Sequence, residues 1–245
     1  MNQNEAVKLT LEKLGGVATL GQLYLEVFKI KNCSWKTKTP FASIRRIVQL
    51  DKDIYKIRPG LYALDKYKKY LEHKGIFQET NKHKKQGQES VFNHTYYQGI
   101  IATIGNMKSF NTFIPKQDKN KKFILDRLGD VSTYEDLPQF SYPDIVKRSS
   151  TIDVIWFNSR KMPHSFFEIE HSTDIQNSLL KFYDLQDFNC RMFIVADKMR
   201  KNEFDSKIKK EVYKEISDRV NFLDYDKIIK QYENISETIK YNLNL

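Results

Sequence analysis

The sequence predicts a mixed α/β chain in two parts: a small helical module with a hairpin, then a larger mixed β-sheet flanked by helices. Positive charge is segregated, with 18 lysines and arginines against 9 acids in residues 1–90 and 23 against 22 in residues 91–245. The stretch HKGIFQETNKHKKQGQES, residues 73–90, is polar, charged and short of aliphatic side chains, as linkers are. Before it three runs of helical apolar spacing lead into two short β-prone runs around a turn signal near residue 60. After it, helical spacing alternates with short β-prone runs. The expected division is therefore 1–72, a linker over 73–90, and 91–245.

In the first part, EAVKLTLEKLG has helical spacing and ends on Gly15 and Gly16, and TLGQLYLEVFKI predicts a second helix capped by Thr19. TKTPFASIRRIVQLD predicts a third, with Thr39 as N-cap, Pro40 in the first turn and an apolar stripe of Phe41, Ile44, Ile47 and Val48. DIYKIRPGLYAL holds two β-prone runs around Pro59-Gly60, a hairpin signal. Three helices and a hairpin predict a winged helix-turn-helix.

The second part reads in order as a helix (FNHTYYQGIIATIGN), a strand (FNTFIP), two adjacent strands (TIDVIWF and HSFFEIE) joined by NSRKMP, and a helix from Thr173 (TDIQNSLLKFYDLQDF). A buried strand (CRMFIVA), an amphipathic helix (EFDSKIKKEVYKEISDR), the strand VNFLDY and a helix over 226–240 follow.

Composition narrows the function classes. With 40% hydrophobic and 13% aromatic residues the chain can bury a sizeable core. It contains no apolar run of the roughly 18 residues a membrane helix requires, and its first residues do not form a signal peptide, so a cytoplasmic location without membrane association is expected. Two distant cysteines, Cys33 and Cys190, support neither a disulfide framework nor a zinc knuckle. A net charge of +10, nearly all of it in the first third, points to a polyanion partner. Lys36, Lys38, Arg45 and Arg46 flank or occupy the third helix, the one a helix-turn-helix lays in the major groove. Ser43 and Gln49 are placed to reach base edges there, and Arg58 stands at the wing. Lys82, Lys84 and Lys85 in the linker could track phosphates.

The chemistry is expected where acids interrupt apolar strands. Asp153 breaks TIDVIWF, and Glu168 and Glu170 break FFEIE, with no basic residue inside either strand. A buried carboxylate costs several kcal/mol unless paired or metal-bound. If the two strands pair through residues 158–164, the three acids converge on one sheet edge and offer hard oxygen donors suited to Mg²⁺. The competing reading is a set of ordinary polar positions on solvent-facing strands. The five histidines show no metal-ligand spacing, and His94, at a helix start, makes a weak candidate.

This pattern resembles the PD-(D/E)XK nuclease superfamily, with Asp153 as first acid and Glu168-Ile169-Glu170 as the second half-motif. Glu170 stands where most members carry lysine. The block FFEIEHSTDIQNSLLKFYDL is similar to a recurrent block in restriction endonucleases, and HTYYQGIIATIG and RMFIVAD to its flanking helix and strand. KTPFASIRRIV and RPGLYAL resemble the HARE-HTH winged-helix family. The resemblance implies a restriction-endonuclease-like fold for residues 91–245 and hydrolysis of phosphodiesters in double-stranded DNA. It also implies one or two Mg²⁺ held by Asp153, Glu168, the Ile169 carbonyl and Glu170, with His171, Gln176 and Lys181 as further site candidates. A cognate DNA methyltransferase is the expected companion, and a homodimer is one route to cutting both strands. The alternatives are a non-catalytic winged-helix DNA-binding regulator whose degenerate nuclease fold serves dimerisation, and a repair or RNA-processing nuclease.

Overall fold

The computed structural model describes residues 1–78, 86–171 and 173–242; Lys82, Lys84 and Lys85 lie outside them. The chain is mixed α/β and divides into two compact units, Met1–Glu89 with Ile229–Leu245, and Ser90–Ile228.

The first unit runs α1 (Gln3–Lys13), β1 (Val17–Thr19), α2 (Leu20–Glu26), α3 (Pro40–Leu50), β2 (Ile54–Arg58), β3 (Leu61–Leu64) and α4 (Lys68–His73). The expected helices form for the expected reasons. Thr19 caps α2 through a reciprocal box with Gln22, and Pro40 opens α3, which buries Phe41, Ile44 and Val48. Thr39 does not cap α3 with its side chain; its carbonyl instead accepts the Ser43 hydroxyl at 3.4 Å. The hairpin turns at Gly60 with φ 74°, a left-handed conformation that glycine adopts without cost. β1 is an addition to the expectation. At three residues it is too short to show alternation, yet it pairs antiparallel with β3, giving a sheet ordered β1-β3-β2.

The last helix, α10 (Tyr225–Asn242), presents Tyr232 and Ser236 to the first unit rather than belonging wholly to the second. The Tyr232 hydroxyl lies 3.0 Å from Thr19 Oγ1, and a Cβ added at Gly21 would meet Ser236 and Tyr232 at 2.6 Å. Gly21→Ala is therefore expected to cost about 1–3 kcal/mol by overpacking, read as a lowered melting temperature. An unchanged one would show that this helix contact is loose.

The second unit carries a five-stranded sheet ordered β10-β9-β8-β7-β4. Its elements are α5 (Gln86–Met107, entering from the first unit), β4 (Asn111–Phe113), the small pair β5 (Lys122–Phe123) and β6 (Asp126–Arg127), α6 (Leu128–Val131) and α7 (Pro143–Ser149). Then come β7 (Val154–Phe157), β8 (Pro163–Glu170), α8 (Ile175–Tyr183), β9 (Arg191–Ala196), α9 (Lys201–Ile208) and β10 (Val220–Asp224). β4, β7 and β8 run antiparallel, while β8, β9 and β10 are parallel. One face of the sheet packs Ile155, Phe157, Phe166 and Ile194 against Leu179 and Phe182 of α8. On the other, Trp156 donates its indole N–H to the Ile101 carbonyl of α5 at 3.1 Å.

Three boundaries differ from expectation. α5 begins at Gln86, inside the stretch read as linker. α8 is capped by Asp174, whose carboxylate accepts the Gln176 N–H, because the Thr173 hydroxyl is turned to Glu170. The helix expected over 203–219 ends at Ile208. The five-residue step from Ile208 to Tyr213 would rotate Tyr213 off the buried stripe of a continuous helix, so a break lets both Tyr213 and Ile216 enter the core.

Candidate active site

Sheet register brings the first two acids together. Val154 pairs with Phe167, so one step further Asp153 stands opposite Glu168, just beyond the end of β7. With no β7 residue left to pair, the Ile169 N–H donates to Asp153 Oδ2 at 2.8 Å, and the Asp153 N–H lies 3.3 Å from Glu168 Oε1. A strand residue sends its N–H and C=O to the same edge, so the Ile169 carbonyl also faces the Asp153 side.

Glu168 and Glu170 project from β8 toward α8 and are 2% and 4% exposed. α8 buries Ile175, Leu179 and Phe182, a stripe that seats the helix on the sheet with Ser178 and Lys181 one turn apart over the acids. The Lys181 ammonium donates to Glu168 Oε2 at 2.8 Å, to Oε1 at 3.0 Å and to the Thr151 carbonyl at 3.0 Å. Ser178 Oγ sits between the carboxyls, 3.0 Å from Glu168 Oε2 and closer still to Glu170 Oε1. A hydroxyl has one proton to give, so both contacts are hydrogen bonds only if one carboxyl is itself protonated. Complete burial, then the neighbouring Asp153 charge, push Glu168 up to about 8, against the pull of Lys181 and Ser178. With three carboxyls and the one ammonium of Lys181, the group is short of positive charge.

The other side of Asp153 holds residues that sequence reasoning did not select. His94 on α5 places Nε2 3.5 Å from Asp153 Oδ1. Asp118, in the loop after β4 and 4% exposed, completes a group of three ligand atoms within 4.8 Å of one another. Gln98, one turn after His94, donates through Nε2 to Asp118 Oδ2 at 3.0 Å and to the Asp153 carbonyl at 2.8 Å. Burial lowers the proton affinity of His94, but the Asp153 and Asp118 carboxylates outweigh it and the net shift is upward. The available signal was the four-residue spacing of His94 and Gln98 on one face of an apolar helix. Asp118, within KQDKNKK, reads as surface charge.

The expected convergence of Asp153, Glu168 and Glu170 is thus partial. Glu170 turns its carboxylate to Thr173 and Ser178, while its carbonyl accepts Arg200 at 3.1 Å. Among the described residues the three-ligand group is His94, Asp118 and Asp153. Lys181 is at the acids as expected. Gln176 is not, since its side-chain oxygen accepts from Lys210 at 3.4 Å. His171 follows β8, half-buried.

In the first unit, Lys36, Lys38, Arg46 and Gln49 are exposed, and Ser43 is half-buried. Arg45 is turned away from that set, 3.5 Å from Glu233 and 3.3 Å from Glu237 of α10. Arg58 is 1% exposed and donates to the Phe77 carbonyl at 3.4 Å, so its guanidinium cannot meet a phosphate without leaving the core.

Comparison with known proteins bears on the second unit. The family model described as the type II restriction enzyme NmeDI C-terminal domain matches residues 76–241, a span that contains His94, Gln98, Asp118, Asp153, Glu168, Glu170 and Lys181. The type II restriction enzyme NmeDI of Neisseria meningitidis serogroup C is 31% identical over 113 residues, covering 42% of this chain and 32% of that protein. The chain thus spans about a third of the length of the curated relative it matches. No solved structure matches. Because the match runs through most of the chain, including the acid-bearing strands and α8, the protein belongs to the NmeDI C-terminal domain family of type II restriction enzymes.

Proposed function

We propose that the chain is a Mg²⁺-dependent restriction endonuclease hydrolysing phosphodiester bonds of double-stranded DNA, its second unit a PD-(D/E)XK site in Glu-x-Glu form and its first a winged-helix reader. The observation that carries this reading is the buried Glu168 beside Asp153, with Glu170 bridged through Ser178 and a single ammonium, Lys181, among three carboxyls. Such a set is unfavourable without a further cation or proton, and its donors are hard oxygens, which fit Mg²⁺. Asp153, Glu168 and the Ile169 carbonyl would hold it. Bound there, Mg²⁺ supplies Lewis-acid polarisation of the scissile phosphate and a water of lowered pKa.

The chain's own residues do the rest. The Ile169 N–H fixes one oxygen of Asp153, and Ser178 and Lys181 orient both oxygens of Glu168. Lys181, 24% exposed at its side chain, is the cation placed to meet a phosphate oxygen once Glu168 has another partner. Glu170, with both oxygens engaged by hydroxyls, orients Ser178. One such site cuts one strand, so cutting both requires a homodimer or two events, and a cognate methyltransferase would protect the host's own DNA.

In the first unit α3 presents Arg46 and Gln49 on its exposed face, three residues apart, with Lys36 and Lys38 ahead of its start. Arg46→Ala is expected to weaken DNA binding and reduce the slope of log affinity against log salt by about 1. Arg45→Ala, which removes a partner of Glu233 and Glu237, is expected to leave that slope unchanged. Equal slopes for wild type and Arg46→Ala would remove α3 from the interface.

The functional test is incubation with methylated and unmethylated duplex DNA in Mg²⁺, in competition with single strands and RNA. Duplex cleavage that depends on methylation supports the restriction reading. Preference for RNA or single strands would move the chain to a different nuclease class.

A further inference from the structure

We infer that the chain carries a second cation site, on the opposite side of Asp153 from Glu168, formed by His94 Nε2, Asp118 and Asp153 Oδ1 with the buried amide of Gln98 against it, and suited to a Mn²⁺-class ion. The three ligand atoms of His94, Asp118 and Asp153 lie within 4.8 Å of one another. Bonds of about 2.1 Å to a common ion would draw them together by small side-chain rotations.

An independent observation comes from Gln98. Its side chain is fully buried, its Nε2 donates to both Asp118 Oδ2 and the Asp153 carbonyl, and its Oε1 has no hydrogen-bond partner among the described residues. The two acceptors at Nε2 fix which way the amide faces, since the flipped amide would set oxygen against oxygen. A buried carbonyl oxygen with no donor costs about 1–3 kcal/mol, so this amide, held against Asp118 and Asp153, is left with an unmet acceptor beside the group.

One imidazole nitrogen with two carboxylates is a mixed set. It favours Mn²⁺ or Fe²⁺ over Ca²⁺, whereas the all-oxygen set at Glu168 does not discriminate in that way. Lys121 now pairs with Asp118 Oδ1 at 2.5 Å, but its side chain is 43% exposed while that of Asp118 is 6% exposed, so the lysine can leave for water when an ion arrives. Asp153 then bridges the two sites, one oxygen toward His94 and the other held by Ile169.

This inference rests on the nuclease reading only for the first ion, and Mn²⁺ binding separates the two. Calorimetry of Mn²⁺ into the full chain is expected to give two ions. Pulsed electron paramagnetic resonance is expected to show ¹⁴N coupling from a coordinated imidazole. His94→Gln should lose the coupling and one ion, and Asp118→Asn should do the same by a route that leaves the imidazole in place. Glu168→Gln should lose the other ion and keep the coupling. Wild type without ¹⁴N coupling, or coupling that survives His94→Gln, overturns the inference, and the wild-type result stands even if a variant fails to fold. Two ions with His94-dependent coupling but no DNA cleavage would leave this site intact and remove the nuclease reading.

Discussion

Asp153→Asn is expected to lower the single-turnover rate of DNA cleavage at saturating Mg²⁺ by about a thousand-fold or more, in a protein that stays folded. The amide keeps an oxygen to accept the Ile169 N–H, so the local geometry at the end of β7 survives. What it loses is the charge. Metal-borne stabilisation of a phosphoryl transition state is worth several kcal/mol, and each 1.36 kcal/mol is tenfold in rate, so about 4 kcal/mol gives the stated factor. Asp153 also lies against both proposed cation sites, next to Glu168 on one side and His94 on the other, so its loss should not be rescued by raising Mg²⁺ alone. A loss of less than tenfold at saturating Mg²⁺ would place the chemistry elsewhere.

Glu168→Gln is expected to raise the stability of the metal-free protein above pH 8 and to flatten its dependence on pH. In the folded chain Glu168 holds its proton up to about 8, whereas its ordinary value is 4.5. Between those values the folded state binds more protons than the unfolded one, so unfolding free energy falls as pH rises. The contribution is fully present below the unfolded value and lost above about 8. The magnitude is on the order of a few kcal/mol.

Other groups titrate in the same range. His94, also raised, adds a slope of the same sign, so the informative quantity is the difference between wild type and variant melting temperatures. That difference should grow in favour of Glu168→Gln from pH 5 to pH 9. Mg²⁺ should reverse it at pH 8 by stabilising the wild type more than the variant, which lacks the Glu168 site. Parallel pH profiles for the two proteins would mean that Glu168 carries no uncompensated burial.

Much of this architecture was legible in the residues because each element is locally consistent. Capping at Thr19, Pro40 at the start of α3, the Pro59-Gly60 turn and the stripe of Ile175, Leu179 and Phe182 all report on their own neighbourhoods. Asp153 and Glu168 were legible as a pair because register follows from two strands joined by a short connection.

What escaped was set by contacts distant in sequence. β1 is too short to show a period, and its partner β3 lies more than forty residues on. Arg58 reads as a wing cation, but the packing around it turned it inward. Arg45 is drawn to Glu233 and Glu237, nearly two hundred residues away. Glu170 reads as a third ligand because period-two alternation puts it beside Glu168, and that placement is correct. Its partners Ser178 and Thr173 are ordinary hydroxyls that no spacing rule singles out. His94, Gln98 and Asp118 join only when α5 crosses the sheet near the loop after β4.

The most direct measurement is cleavage of duplex DNA by the purified full chain, in Mg²⁺ and in excess chelator, with product ends identified. The account predicts hydrolysis to fragments that can be religated, dependent on Mg²⁺, abolished by chelator and by Glu168→Gln, and restored by returning the metal to wild type alone. Cleavage that persists in chelator, or that Glu168→Gln performs at the wild-type rate, would contradict it.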